Sequence, residues 1–291
     1  MMKIGIVGTG MLGEAVGLHL LDVGYKITVF NRSKEKTEKL ENKGALVVDS
    51  PKNVAENSEL VIMVVKDANA VKDIIFGDCG ILAGRHEGMC IADMSTINPN
   101  STREISKQVT ENGIDYMEIP VMGGPNVAIN GKLVIMASGK KEVFEKFKTI
   151  FESIADQSIY LGDTGTAHSI KLAMNLQIAM LALSLSEGIT LTKKAGFDPE
   201  IFLKVLNSTY FKTGMSEGKA YKMINDSVKP TFTLANLKKD LDTINDAAES
   251  FDAELPMAKI ARKIYADATD AGFGDIDYTG IISYIRKLSK E

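Results

Sequence analysis

Gly8, Gly10 and Gly13 form a Gly-x-Gly-x-x-Gly string. It follows the apolar run Lys3-Ile4-Gly5-Ile6-Val7 and opens a segment, residues 11 to 23, with Leu12, Val16, Leu20 and Val23 at helical spacing. Few features constrain a fold more. A strand that ends in such a turn and feeds a helix lets the first glycine make the tight bend. The second lets a phosphate approach the backbone, and the third lets helix and strand pack closely. The free N–H groups at the helix start then face an anion. The context points to a bound dinucleotide, with Gly8, Thr9, Gly10, Met11 and Leu12 against the pyrophosphate.

The following segments continue the pattern. Tyr25 to Phe30 reads as a second strand, and Ser33 is placed to cap a charged helix over 34–43. Leu60 to Val65 is nearly all apolar, as suits a parallel strand covered on both faces, and Val65 at its end is a candidate cofactor contact. Ile91 to Asp93, Asp115 to Ile119 and Leu133 to Ala137 read as further strands. Alternating strand and helix predicts a doubly wound, parallel α/β sheet of the Rossmann type over residues 1–163. Beyond residue 163 the strand signals stop. Residues 167–195 read as one long helix, apolar on most sides through Leu172, Met174, Leu176, Ile178, Met180, Leu181, Leu183 and Leu185. Gly196 suits its C-cap, Asp198-Pro199 starts another helix, and 199–208, 215–226, 233–252, 256–272 and 277–289 are further candidates. An all-α second domain over 164–291 is the expectation.

The second strand closes on Asn31-Arg32-Ser33, with Lys36 a turn further on. An NAD site usually carries Asp or Glu there for the ribose 2′-hydroxyl. Arg32 instead offers a planar fork to a 2′-phosphate, with donors from Ser33 and Lys36, so NADP is expected ahead of NAD.

Three more stretches combine polar or small residues at places where ligands bind. Asp93-Met94-Ser95-Thr96 follows a strand. Pro120-Val121-Met122-Gly123-Gly124 exposes consecutive backbone N–H groups able to hold a carboxylate. Lys171 and Asn175, four apart, share one face of the long helix. A lysine in so apolar a helix is costly unless it faces a cleft or a partner. A fourth stretch, Phe232 to Leu241, reads from its residues alone as an ordinary amphipathic helix.

In this order, these segments resemble the β-hydroxyacid dehydrogenase family, which includes 3-hydroxyisobutyrate dehydrogenases and glyoxylate/succinic semialdehyde reductases. The resemblance covers essentially the whole chain. It extends to Gly272-Phe273-Gly274-Asp275-Ile276-Asp277-Tyr278, which is similar to the family's C-terminal segment. It implies a fold like that of 6-phosphogluconate dehydrogenase. It also implies hydride transfer between nicotinamide and a small hydroxy acid or its semialdehyde. By the resemblance Lys171 is the catalytic residue and Asn175 its companion. Ser95, Met122, Gly123 and Gly124 line the acid, and Thr96, Phe232 and Lys239 reach the cofactor. Met122 stands where the family usually has serine, and Glu118-Ile119 where Asp-Ala is common. Other readings are an imine reductase, whose members typically lack the lysine, a phosphosugar acid dehydrogenase, which needs a longer second domain, and a non-catalytic NADP-binding protein.

Charge and composition narrow the partners. A net charge of −4 with no polybasic run gives nucleic acid no footprint. Two cysteines, Cys79 and Cys90, make no disulfide framework and suit a reducing compartment. His19, His86 and His168 lack the spacing of a metal pair, so no metal is expected. With neither a signal peptide nor an uninterrupted apolar run of about 18 residues, a cytoplasmic protein away from membranes is expected, and the family resemblance implies a homo-oligomer, a dimer or tetramer.

Overall fold

The computed structural model describes residues 2–225, 227 and 229–290. Asp226, the end of the expected helix 215–226, and the terminal positions of both expected domains lie outside them. Two compact units emerge, Met1–Lys171 and Leu172–Glu291. The border between these units falls inside the long helix, after Lys171.

In the first unit the strands are β1 (Ile4–Val7), β2 (Ile27–Phe30), β3 (Leu46–Val47), β4 (Leu60–Met63), β5 (Cys90–Asp93), β6 (Asp115–Glu118), β7 (Val121–Met122), β8 (Leu133–Gly139) and β9 (Ala155–Tyr160). They form one sheet in the order β3-β2-β1-β4-β5-β6-β8-β7, with β9 on β8. Strands β1 to β6 are parallel where they pair. The expected all-parallel sheet is corrected at one side, where β8 runs antiparallel to both β6 and β7. Between β7 and β8 the short connection accounts for the reversal: residues 123–132 are fewer than the dozen or more that a parallel crossover needs.

The near-continuous apolar run of β4 has a direct cause. Leu60 and Ile62 enter one core with Ile4, Ile6 and Val29, while Val61 and Met63 enter another with Val7 and Ile91. Helices α1 (Met11–Asp22), α2 (Glu38–Asn42), α3 (Pro51–Glu56), α4 (Ala68–Phe76), α5 (Pro99–Glu111), α6 (Pro125–Ala128) and α7 (Lys141–Ile154) connect the strands. The expected helix 34–43 is instead a 3-10 turn, Lys34–Thr37, followed by α2. Ser33 occupies its N-cap position without donating or accepting a capping bond.

Helix α8 (Thr166–Lys194) is 29 residues long and is followed by α9 (Pro199–Asn207), α10 (Gly214–Gly218), α11 (Ala220–Ile224), α12 (Leu234–Ser250), α13 (Pro256–Ala268) and α14 (Ile281–Leu288). The expected helix 215–226 is two short helices meeting at Lys219. By length and composition alone α8 could cross a membrane, with a mean hydropathy of 1.4 in its most apolar window. Its apolar residues Leu172, Ala179, Ala182 and Leu183 are packed with Leu234, Leu237, Leu241 and Tyr265 in the second unit's core. It is less covered than expected: Ile170 and Met174 are 44% and 39% exposed.

A buried clamp closes this unit. Asp277, 1% exposed, accepts from Lys219 Nζ at 3.0 and 3.1 Å, Thr231 N at 3.1 Å and Thr279 Oγ1 at 2.7 Å. The Lys219 ammonium also lies 4.3 Å from the centre of the Tyr278 ring. Burial pushes the Asp277 carboxyl up, but the Thr279 hydroxyl, the Lys219 charge and the Thr231 amide outweigh it and hold it below the usual value.

Candidate active site

The carboxyl ends of β1 and β4 are neighbours at the point where strand order reverses, the usual ligand crevice of such sheets. A cleft of about 570 Å³ opens there, lined by Gly8, Gly10, Arg32, Lys36, Val65 and Cys79 among others. Gly8 takes φ +96°, and a Cβ on it would stand 2.2 Å from the Val64 carbonyl oxygen. A Cβ on Gly13 would stand 2.0 Å from the Gly8 carbonyl oxygen, whereas one on Gly10 would meet nothing within 4 Å. The turn is thus closed on its protein side and open on its solvent side. No side chain caps α1 at Gly10, so its first N–H groups stay available to an anion. Met11 is exposed and Leu12 half-buried beside them. Thr9 is 2% exposed and its Oγ1 has no hydrogen-bond partner among the described residues. A buried hydroxyl left unpaired on such a turn fits a ligand that supplies the partner.

Asn31 ties the second strand to this turn. It accepts the Thr9 N–H at 3.1 Å and donates to the Ser33 carbonyl at 2.9 Å. Arg32 and Lys36 are exposed and line the cleft, and Ser33 is half-buried between them. No carboxylate among the described residues pairs with Arg32 or Lys36.

The Asp93–Thr96 loop is fixed from several sides. Asp93, fully buried, accepts the Ser95 N–H at 2.9 Å and the Tyr116 hydroxyl at 2.8 Å. Burial and the neighbouring Asp93 charge push the Tyr116 phenol well above its usual value, so it stays a donor. Ser95 is 3% exposed, its Oγ accepting the Val65 N–H at 3.1 Å. Thr96, next along, is half-buried. Lys171, in the second turn of α8, is half-buried with Nζ 3.4 Å from Met122 Sδ. The chain thus places Lys171 beside the loop that continues into Gly123, exposed at φ +116°, and half-buried Gly124.

In the second unit, Asn175 is 1% exposed. Its Nδ2 donates to Asp240 Oδ2 at 2.6 Å, which aims Oδ1 the other way, and Oδ1 has no partner among the described residues. Lys239 Nζ lies 2.6 Å from Asp240 Oδ1. Phe232 meets Tyr278 edge to face at 5.9 Å. Among the described residues no group of three His, Cys, Asp or Glu could hold a metal ion.

Comparison with known proteins agrees along both units. Residues 3–162 match the NAD-binding domain model of 6-phosphogluconate dehydrogenase, and residues 165–285 match the model described as NAD-binding of NADP-dependent 3-hydroxyisobutyrate dehydrogenase. Glyoxylate/succinic semialdehyde reductase 1 of Arabidopsis thaliana is 31% identical over 290 residues, 100% of each chain. The chain belongs to the β-hydroxyacid dehydrogenase family. It is an NAD(P)-dependent oxidoreductase acting on hydroxyl groups of a small molecule. A 3-hydroxyisobutyrate dehydrogenase structure from Salmonella typhimurium shares the fold at TM-score 0.88 and 23% identity, covering 98% of this chain and 100% of that one. The cytokine-like nuclear factor N-PAC of Anopheles gambiae is 29% identical over 285 residues, and this chain, matched over 98% of its length, spans 50% of it.

In this dehydrogenase two buried residues that join the start of α8 to the sheet and to the Asp93–Thr96 loop escaped the sequence reading. Glu118 and His168 are both fully buried and both hold the start of α8. A charged residue ending a strand next to the apolar Tyr116-Met117 pair, and a histidine three residues before Lys171, were the available signals. The other histidines are structural: His19 bonds the Ile129 and Ser153 carbonyls, and His86 those of Glu87 and Ser58.

The glycine turn gives the first testable expectation. Gly13→Ala forces a Cβ onto backbone, which cannot swing away as a side chain would. It is expected to cost about 1–3 kcal/mol and to weaken binding of the nicotinamide dinucleotide. Fluorescence titration beside a melting curve checks both, and unchanged affinity would contradict the close approach of α1 to the turn.

Proposed function

We propose that this dehydrogenase is an NADPH-dependent reductase of small aldehyde acids, with glyoxylate and succinic semialdehyde the first candidates. Support for the acids comes from the full-length similarity to the Arabidopsis reductase. Support for NADP comes from Arg32, Ser33 and Lys36 on the cleft, where a carboxylate would repel a 2′-phosphate. The observation that carries the catalytic part is Lys171, half-buried on α8 with its ammonium beside the Met122 loop.

The bound nicotinamide supplies the hydride. As the new C–H bond forms at the carbonyl carbon, the C=O π electrons move onto oxygen. Lys171 Nζ donates its proton there, completing the hydroxyl, and is reprotonated from solvent after product leaves. Asn175, its amide aimed by Asp240, presents a free Oδ1 acceptor one helical turn beyond Lys171. The Gly123 and Gly124 N–H groups are placed to receive the acid's carboxylate, Met122 replacing a polar donor with a thioether. Ser95 shapes the site through its backbone and buried hydroxyl, and by the family resemblance Val65, Thr96, Phe232 and Lys239 would contact the cofactor. A cytoplasmic location is part of the proposal, supported by two free thiols, Cys79 and Cys90. So is a homo-oligomer, supported by the exposed apolar residues Phe197, Ile201, Val205 and Phe211.

The test of cofactor choice is Arg32→Ala, assayed with both nucleotides against glyoxylate and succinic semialdehyde. Loss of charge-assisted bonds worth about 1.5–3 kcal/mol is expected to lower kcat/KM for NADPH about 10- to 100-fold. The NADH reaction should change by less than about threefold, because it lacks the phosphate these bonds serve. Equal losses with both nucleotides would sink the NADP assignment.

A further inference from the structure

The hydride-transfer chemistry above makes no use of Glu118 or His168, although both are fully buried ionisable residues and such groups are expensive to bury. Their positions explain the expense. Glu118 ends β6 and reaches the first turn of α8. One of its carboxylate oxygens accepts the Gly165 N–H, and the other accepts the His168 N–H at 2.8 Å. Ser138 Oγ accepts the Ala167 N–H at 3.3 Å. Three backbone donors at the start of α8 are therefore satisfied from the sheet, with a negative charge at the positive end of the helix dipole.

His168 extends the contact in a second direction. Its Nε2 lies 2.9 Å from the Ser95 carbonyl oxygen, which only accepts, so Nε2 carries the proton. Its Nδ1 lies 2.7 Å from Thr102 Oγ1 and 3.3 Å from Glu118 Oε2. One imidazole thus joins the helix that bears Lys171 to the loop that bears Ser95 and Thr96. Lys171 follows His168 by three residues, so both project from neighbouring positions of one helical face.

We propose that Glu118 and His168 form a positioning pair for the reaction, holding the α8 start and the Asp93–Thr96 loop at a fixed separation so that the Lys171 ammonium meets the substrate oxygen. Neither residue touches substrate. They act through the backbone of Ser95 and the first turn of α8. The proposal rests on Lys171 being the proton donor. A displacement of about 1 Å in such a group costs up to about a hundredfold in rate.

The experiment is a double-mutant cycle on the intact enzyme, reading single-turnover NADPH oxidation with glyoxylate. NADPH affinity and melting temperature are recorded for each variant. His168→Leu is expected to slow hydride transfer about 10- to 100-fold with NADPH affinity held within about twofold. His168→Gln, whose amide can still donate to the Ser95 carbonyl, recovers most of the rate. His168→Asn, which keeps only the Thr102 side, does not. In a Lys171→Ala background His168→Leu adds less than about twofold, because its effect passes through the lysine. Equal losses in both backgrounds, equal rates for the Gln and Asn variants, or an unchanged rate in His168→Leu would each overturn the pair's role. If Lys171→Ala alone keeps wild-type rate, the lysine assignment fails instead, and the two failures are told apart by that single variant. Should His168→Leu not fold, the Gln and Asn comparison carries the test.

Discussion

Replacing Lys171 by alanine is expected to lower kcat for aldehyde-acid reduction by about 10²- to 10⁴-fold, the usual contribution of a positioned proton donor. NADPH affinity should hardly change, because the cleft proposed for its phosphates is lined by Gly8, Gly10, Arg32 and Lys36 on other elements. KM for the acid should move less than kcat, since the ammonium matters most when negative charge collects on the carbonyl oxygen. Truncation also frees Met122, whose sulfur loses its 3.4 Å neighbour. Lys171→Met separates these effects: it fills the same space without a proton, so its kcat should match that of Lys171→Ala. A Lys171→Met enzyme with near-normal kcat would remove the lysine from the chemistry.

Asp277→Asn is expected to be the most damaging substitution for stability in the second unit. The carboxylate gathers Lys219, Thr231 and Thr279 in a site it almost fills. An amide can keep one acceptor but turns N–H groups toward an ammonium and an amide donor. Breaking a buried pair costs about 3–5 kcal/mol. The lower end applies here, because Lys219 is 27% exposed and partly screened. The pH dependence follows from the direction of the shift. Asp277 is held below its unfolded value of about 3.9, so its contribution is complete above that value and disappears as pH falls through the lower folded one. Calorimetry should show a wild-type advantage over Asp277→Asn that is constant near neutrality and shrinks below about pH 4. An advantage that persists unchanged at pH 2 would mean that packing, not charge, holds the clamp.

What the sequence revealed depended on how local the signal was. The glycine turn, β1, β2, β4 and the long helix each announce themselves through spacing within a dozen residues. Strand β9 did not, because Ala155–Tyr160 carries exposed Asp156 and Gln157 and shows no apolar face. Strands β3 and β7 are two residues each, too short for periodicity. The reversal of β8 was illegible because apolar spacing records which residues are covered and not which way a strand runs. In the site, Lys171 and Asn175 were readable from their spacing of four on an apolar helix. The Glu118–His168 pair was not: its bonds join residues 50 and 73 positions apart, and only the folded sheet brings them together.

Helix α8 has a consequence for how such enzymes can be recombined. Its 29 residues span about 43 Å, and the border between the two units crosses it just after Lys171. Lys171 and Asn175 therefore fall on opposite sides of that border, one turn apart on a single unbroken helix. Swapping the second unit for that of a relative cannot be done at the unit border without splicing two half-helices beside Lys171. A productive crossover has to fall upstream, in the Gly162–Gly165 turn, so that the helix travels whole.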